Sequence, residues 1–578
     1  MAAAGTWYVR VLLLLAAVWV VVVFLTVGPL SLVGGGGGSS GAVLVGRLNA
    51  AVSQLAELRR QNDELRQMLV DFTEISANAG NDNTATIQKL KHKLAEAPQR
   101  LSMSEPSLEY ELARRQSRRD ADELWRFVRG ELTAWRKDDS AKAPPVARRL
   151  EKLQDSVRQY HAVIRGDLAN LTVADGWETW RRREADQLAD LMRRRIDFLQ
   201  NPPDCATAKK LVCNLNKVCG FGCQLHHVAY CLTVAYGTGR TLVLNSRNWR
   251  YNRAGWEQVF QPLSGTCQDA GGRSKAAWPG TADTQVLTLP IIDVVSPRPP
   301  YLPLAVPADL ADRLARLHGD PSVWFTAQFV RYLMRPQQHL QNDLDAFVKR
   351  VQLRNPCVGI HVRRTDKVGT EAAFHPIEEY MQHVHEFYER RQMEAGGGDG
   401  SRRCVYLASD DPSVFQDAVN KFPDYTFLGD PSVSKTAAVS SRYTDASLRG
   451  VITDIHALSL TDHLVCTFSS QVCRVAYELM QTMHVDAADW FTSLDDIYYY
   501  GGQSPHEQTA RFAHQPADGS EIALSPGDTV GIAGNHWNGY SKGENRRLKK
   551  VGLYPAYKTR DKLRVVEFPR YPEVPLVL

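Results

Sequence analysis

Residues 356–371 read Pro-Cys-Val-Gly-Ile-His361-Val-Arg363-Arg364-Thr-Asp366-Lys367-Val-Gly-Thr-Glu371, an apolar run ending in three cations and two carboxylates. Arginine guanidinium groups are planar, always charged and forked, so adjacent Arg363 and Arg364 suit a diphosphate. A departing diphosphate needs its growing charge neutralised, and arginines supply that where other enzymes hold a metal through D-x-D. Asp410-Asp411 is an adjacent pair rather than D-x-D, and the sequence holds no other strong metal cluster. Glu371 has the chemistry of a general base toward an attacking hydroxyl, with Lys367 to orient or tune it. A surface ion-pair network would use the same residue types.

Such groups need elements to place them. Four segments share one layout, an apolar strand, then small or charged residues, then an amphipathic helix. In the first, a strand over residues 209–214 leads to Cys219-Gly220-Phe221-Gly222-Cys223, a helix through Tyr236 and a strand over 240–244. Gly220 and Gly222 would let a backbone approach an anion at a helix N-terminus, and a tight disulfide-linked turn would explain the same glycines. The second is the stretch through Arg363. The third runs from Arg403 to Asp410 and Asp411 with a helix from Ser413. The fourth runs from His463 to Ser469-Ser470-Gln471 with a helix from Val472. Alternating strands and helices predict an α/β fold with a doubly wound parallel sheet, which binds ligands at the C-terminal ends of its strands.

The chain has 578 residues, which predicts three or four domains. At 44% hydrophobic and 23% charged residues, with mean hydropathy −0.32, it is neither mostly disordered nor a polytopic membrane protein. A net charge of +5 does not point to nucleic acid. All ten cysteines lie from Cys205 onward, a pattern suited to disulfides in an oxidising compartment. Cys219 and Cys223 with His226 and His227 do not make a zinc site, because the C-x₃-C spacing lacks a second pair. Spacing alone leaves the disulfide connectivity open, and Cys357 and Cys404, each in an apolar strand, are expected to be buried free thiols.

Residues 11–27 are apolar but for Thr26 and follow Arg10, and with residues 28–33 they reach the roughly 20 residues needed to cross a bilayer. They predict a single anchor over 11–30 behind a short cytoplasmic tail, residues 1–10, in preference to a cleaved signal peptide. Residues 34–41 form a glycine-rich tether. Leu44, Leu48, Ala51, Leu55, Leu58, Asn62, Leu65, Leu69 and Phe72 then follow a heptad seam, which predicts a parallel coiled-coil dimer within a stem over 31–106. Further helices are expected over 107–137 and 146–199. Arg181-Arg182-Arg183 and Arg193-Arg194-Arg195 alternate with acidic residues and are expected on a solvated helix face. Near the C-terminus, Glu521 to Tyr557 follows short strands, and its W-x-G and G-L-Y-P-x-Y runs are like the SH3 pattern.

From His361 through Tyr380, and again at 445–480, 493–503, Gln224-Leu-His-His227 and Asn248-Trp-Arg-Tyr251, the sequence resembles the animal α-1,6-fucosyltransferases of N-glycan core fucosylation. The resemblance covers residues 205 to about 558. It implies a Rossmann-like, GT-B-like catalytic domain over 205–504, after a helical stem over 107–204 and before an SH3-like barrel over 505–565. The implied activity moves fucose, with inversion and no metal, from GDP-β-L-fucose to O6 of the innermost asparagine-linked GlcNAc. The implied setting is the Golgi membrane, single-pass type II with a lumenal catalytic part. The partners are N-glycan acceptors on glycoproteins and a second copy through the stem. By resemblance Arg363 binds the diphosphate and Arg364 supports activity, while His361 and Asp454 contact guanine and Tyr251 the ribose. Gly220, Gly222, Ser470 and Gln471 contact phosphate. Glu371 is the base and Lys367 its partner, Asp410 and Asp411 are essential carboxylates, and His536 touches the glycan. The disulfides would be Cys205–Cys267, Cys213–Cys231, Cys219–Cys223 and Cys466–Cys473, leaving Cys357 and Cys404 free.

Overall fold

The computed structural model of the chain describes residues 105–138, 143–365, 369, 373–394, 403–437, 441–501 and 506–574. The expected anchor, tether and coiled coil, together with Lys367 and Glu371, lie outside the described residues. Among the described residues no helix is long and apolar enough to cross a membrane.

Three helices come first: α1 (Leu108–Lys137), α2 (Pro144–Ala174) and α3 (Glu178–Gln200). Ser107 caps α1 by accepting the Tyr110 N–H at 3.1 Å. One helix is expected over 146–199, but the chain breaks at Asp175-Gly176-Trp177, where Gly176 takes φ +76°. The arginine runs are not uniformly solvated either. Arg182 pairs with Glu178 at the surface, whereas buried Arg181 donates to Glu111 of α1 at 2.6 Å and also pairs with Asp175. After the break, Arg181 near the start of α3 meets Glu111 near the start of α1, a carboxylate 70 residues away, out of solvent. The onset of cysteines at Cys205 marks no break in packing. Leu188, Met192 and Ile196 of α3 share one core with the segment that follows.

That segment holds a parallel sheet in the order β2-β1-β4-β3 (Thr241–Asn245, Lys210–Asn214, Val286–Leu289, Lys275–Ala277). α4 (Phe221–Gly237) connects β1 to β2 and is buried along nearly its whole length. β5 (Ala305–Pro307), α5 (Ala311–Leu317), α6 (Pro321–Leu333) and α7 (Gln338–Val351) lead to a second parallel sheet. It contains β6 (Cys357–Val362), α8 (Ile377–Glu394), β7 (Cys404–Ser409), α9 (Ser413–Lys421), β8 (Thr426–Leu428), α10 (Pro431–Thr436), α11 (Asp445–Ser459), β9 (His463–Cys466), α12 (Gln471–Met480) and β10 (Phe491–Ser493). Its order is β10-β9-β6-β7-β8. All six residues of β6 are buried, as expected of a central parallel strand covered on both faces. Val358, Ile360 and Val362 face α8, and Cys357 faces the opposite core with Tyr406 and Tyr477.

The C-terminal part is an antiparallel sheet in the order β14-β13-β12-β11-β15 (Lys550–Pro555, Tyr540–Asn545, Thr529–Asn535, Glu507–Ala510, Thr559–Asp561). Its small core is Ala510, Ile522, Leu524, Val530 and Tyr554. The chain then returns: β16 (Arg564–Val566) pairs with β5, and the Tyr571 hydroxyl donates to the Tyr236 carbonyl at 2.8 Å. Helix α1 bridges the parts by charge, with Arg119 pairing with Asp561 of β15 at 2.8 Å and Arg115 donating to the Arg316 carbonyl at 2.9 Å.

Five disulfides join Cys205 to Cys267, Cys213 to Cys231, Cys219 to Cys223, Cys466 to Cys473 and Cys357 to Cys404. The first four are the pairs the family resemblance implies. The fifth corrects the expectation of two free thiols. β6 and β7 are neighbours in register with Cys357 opposite Cys404, which brings their Cα atoms to 4.7 Å, within bonding reach. Strand order decides this pairing, and spacing along the chain carries no trace of it.

Candidate active site

Two helix N-termini meet between the parallel sheets. α4 begins after Gly220 and α12 after Ser470, and they touch where Gly222 meets Gln471. A Cβ added to Gly222 would lie 2.9 Å from the Gln471 Cβ and 3.0 Å from its carbonyl carbon, so the close approach of the helices itself demands glycine. Gly220 has no such constraint, since nothing lies within 4 Å of its hypothetical Cβ. Unsatisfied N–H groups and the helix dipole make both ends hospitable to an anion. The buried Tyr251 hydroxyl accepts one of those donors, the Phe221 N–H, at 3.0 Å. Burial pushes that phenol up to about 12.

Opposite these helix ends, the C-terminal ends of β6 and β7 carry the charged groups. Their register runs His361 opposite Ala408 and Val362 opposite Ser409, so the next pair is Arg363 and Asp410. The Arg363 guanidinium pairs with the Asp410 carboxylate. Asp410 also accepts from the Thr365 hydroxyl and from the Arg364 backbone N–H at 2.8 Å. Asp411 serves the turn: its carboxylate accepts the Ser413 N–H at 2.9 Å and pairs with Arg364 at 3.2 Å. Arg364 lies 4.5 Å over the Phe374 ring. Asp410 thus holds Arg363, and Asp411 starts α9 while holding Arg364.

His361 is buried, with an Nδ1 that has no hydrogen-bond partner among the described residues. Burial, with Arg363 acting in the same sense against Asp410, pulls it down to about 4, so the ring is neutral near pH 7. Asp454 on α11 is also buried and accepts the Tyr406 hydroxyl at 2.7 Å. Burial pushes its carboxyl up to about 7. An unpartnered imidazole nitrogen and a poorly solvated carboxylate are suited to a ligand that brings its own hydrogen-bonding edge.

His536 is exposed on the turn between β12 and β13. Beside it, the Trp537 indole N–H donates to the Asp495 carbonyl at 2.6 Å, and Arg126 of α1 lies 4.8 Å over that ring. The Asp495 carboxylate in turn accepts the N–H groups of Phe468 at 2.7 Å and Ser469 at 3.2 Å. The tip of the antiparallel sheet is therefore tied to the loop that starts α12.

Several residues of this site give no signal in the sequence. Thr365, just past β6, donates to Asp410, and Tyr406, inside β7, donates to Asp454 of α11. Tyr443 lies with its ring 5.2 Å from that of Tyr251, under the Arg250 guanidinium at 3.9 Å. One group of possible metal ligands occurs among the described residues, Cys213, His227 and Cys231. Both its sulfurs are spent in one disulfide, as are those of Cys219 and Cys223.

Residues 1–499 match the family described as "Alpha-(1,6)-fucosyltransferase N- and catalytic domains". A Drosophila melanogaster protein named Alpha-(1,6)-fucosyltransferase is 44% identical over 99% of this chain and 98% of its own length. A Caenorhabditis elegans protein of the same name is 39% identical over 89% and 91%. A solved fucosyltransferase from Bradyrhizobium, NodZ, is 12% identical with a TM-score of 0.29, over 46% of this chain and 92% of that one. The chain belongs to the alpha-(1,6)-fucosyltransferase family.

Proposed function

We propose that the enzyme transfers L-fucose from GDP-β-L-fucose to O6 of the innermost asparagine-linked GlcNAc of N-glycans, with inversion and without a metal. The observation that carries this reading is the convergence of two helix N-termini, at Gly220–Gly222 and Ser470–Gln471, with Arg363 at the end of β6. This is a cradle for a diphosphate built from backbone donors, an amide and a fixed guanidinium.

In this reading guanine meets His361 and Asp454, the ribose meets Tyr251, and the acceptor glycan reaches His536. Glu371 takes the proton from O6 as that oxygen attacks C1 of fucose from the face opposite the leaving group, with Lys367 beside it. The C1–O bond breaks and its electron pair leaves on the diphosphate, whose charge Arg363 neutralises. Arg364, Asp410 and Asp411 keep that cation in place. The protein acts as a homodimer, anchored by residues 11–30 in the Golgi membrane with its catalytic part in the lumen.

The test incubates the full chain, in detergent and EDTA, with GDP-fucose and a GlcNAc-terminated biantennary N-glycan. Core-fucosylated product is expected by mass spectrometry. Its absence rules the function out, and product that forms only on adding Mn²⁺ rules out the metal-free mechanism.

A further inference from the structure

Beneath the meeting point of α4 and α12 lies a line of polar side chains, buried except for the half-buried Gln471. Gln471 and Glu478 are seven residues apart on one face of α12, and His226 of α4 lies between them. The His226 Nδ1 is against the Gln471 Oε1. Its Nε2 is 2.9 and 3.1 Å from the two Glu478 carboxylate oxygens. The Tyr498 hydroxyl donates to Glu478 at 2.7 Å, and the Tyr500 hydroxyl donates to the His226 carbonyl at 2.6 Å. Glu478 is fully buried, and His226 is 3% exposed.

An amide has one end that accepts and one that donates. His226 occupies the accepting end of Gln471, so the NH₂ end is the one turned toward the cleft. An NH₂ group attracts a phosphate oxygen, whereas an amide oxygen in that place would repel it. The direction of the amide therefore decides its value to an anion. His226 sets that direction only if its own ring cannot turn over. Glu478 prevents this by accepting the Nε2–H at 2.9 Å, and in the ring protonated on both nitrogens the Nδ1–H is then the donor to the Gln471 oxygen. Gly222, pressed on the Gln471 Cβ, limits where the amide can swing.

We infer that His226 is a positioning residue for donor binding, aiming the Gln471 NH₂ at the diphosphate, with Glu478 holding the ring that does so. The inference rests on the donor site proposed above, and a structural role for a buried pair is its rival. The two differ in one respect: a positioning role works only through Gln471.

The experiment measures GDP binding to the full-length chain in detergent by calorimetry. Wild type binds and Arg363→Ala does not if the donor site is correctly placed; no binding by wild type overturns that reading and this inference with it. His226→Ala is expected to weaken GDP about tenfold, the scale of one charge-assisted hydrogen bond. In a Gln471→Ala background the same change should matter by less than about twofold, because the amide it aims is gone. His226→Asn, whose amide nitrogen reaches the position of Nδ1, should stay within about threefold of wild type. His226→Gln reaches past it toward Glu478 and should behave like His226→Ala, so this pair decides the question even where alanine does not fold. In turnover, the donor KM should rise while the acceptor KM and kcat hold. An equal loss from His226→Ala in both backgrounds, or a joint fall of the Asn and Gln variants, overturns the inference while leaving the donor site intact.

Discussion

Replacing Asp454 by asparagine should make the donor-free protein more stable and at the same time cost it the donor. The carboxyl is buried, accepts the Tyr406 hydroxyl, and is pushed from an ordinary 3.8 to about 7. The folded chain holds a proton there that the unfolded chain releases at lower pH. This group's contribution is thus most favourable below about pH 4 and is lost as pH rises through about 7. About three decades of proton affinity, at about 1.36 kcal/mol each, amount to about 4 kcal/mol of destabilisation above that range. The amide oxygen of Asp454→Asn would still accept from Tyr406, and the side chain would carry no charge. The variant should therefore gain up to about 4 kcal/mol near pH 8 and only about 2 kcal/mol near pH 5. Urea unfolding of the full chain without nucleotide, followed at both pH values, measures the gap. A gap that does not change with pH, or a variant less stable than wild type near pH 8, refutes the argument that burial strains this carboxylate. Calorimetry supplies the other half. Loss of an anionic acceptor for guanine should weaken GDP about a hundredfold or more. Wild-type affinity should also rise as pH passes upward through about 7, as the carboxylate forms.

Gly222→Ala should lower stability by about 1–3 kcal/mol and weaken GDP, because its Cβ would push on the backbone of α12; Gly220→Ala should leave stability within about 0.5 kcal/mol. Equal effects at the two glycines would remove the packing argument. Cys357 and Cys404 should take up no iodoacetamide before reduction in the denatured protein, and losing their bond should cost about 2–4 kcal/mol for a loop of 47 residues, read by urea unfolding. Arg363→Ala and Glu371→Gln should each abolish fucose transfer without unfolding the domain, and full turnover in either variant would remove the role proposed for that residue. Trp537→Ala should raise the acceptor KM more than the donor KM, since it frees the turn carrying His536 from Asp495; an unchanged acceptor KM would argue against that tie.

Much of the frame was legible in the sequence because it is written in local periodicity. The apolar runs at β1, β6, β7 and β9, each followed by small or charged residues and a helix, are visible one segment at a time, and a strand's end is visible with them. That is why Arg363, Asp410, Ser470 and Gln471 stand out in the sequence as candidate site residues. The break at Gly176 was missed because a single glycine is common inside helical patterns. The burial of Arg181 was missed because charge alternation along one helix says nothing about the helix that covers it.

Sequence by itself determined which segments end in charge and that cysteines cluster in one part of the chain. Only the tertiary structure decided what those groups touch. Cys357 meets Cys404 because β6 and β7 are neighbours in register, and Gly222 must be glycine because α12 presses on it. Tyr406 reaches Asp454 across 48 residues and His226 reaches Gln471 across 245. The physical reason is range: dihedral preference and hydrophobic periodicity act over a few residues, whereas a hydrogen bond, a disulfide or a steric contact depends only on distance in space, which strand order and helix packing set.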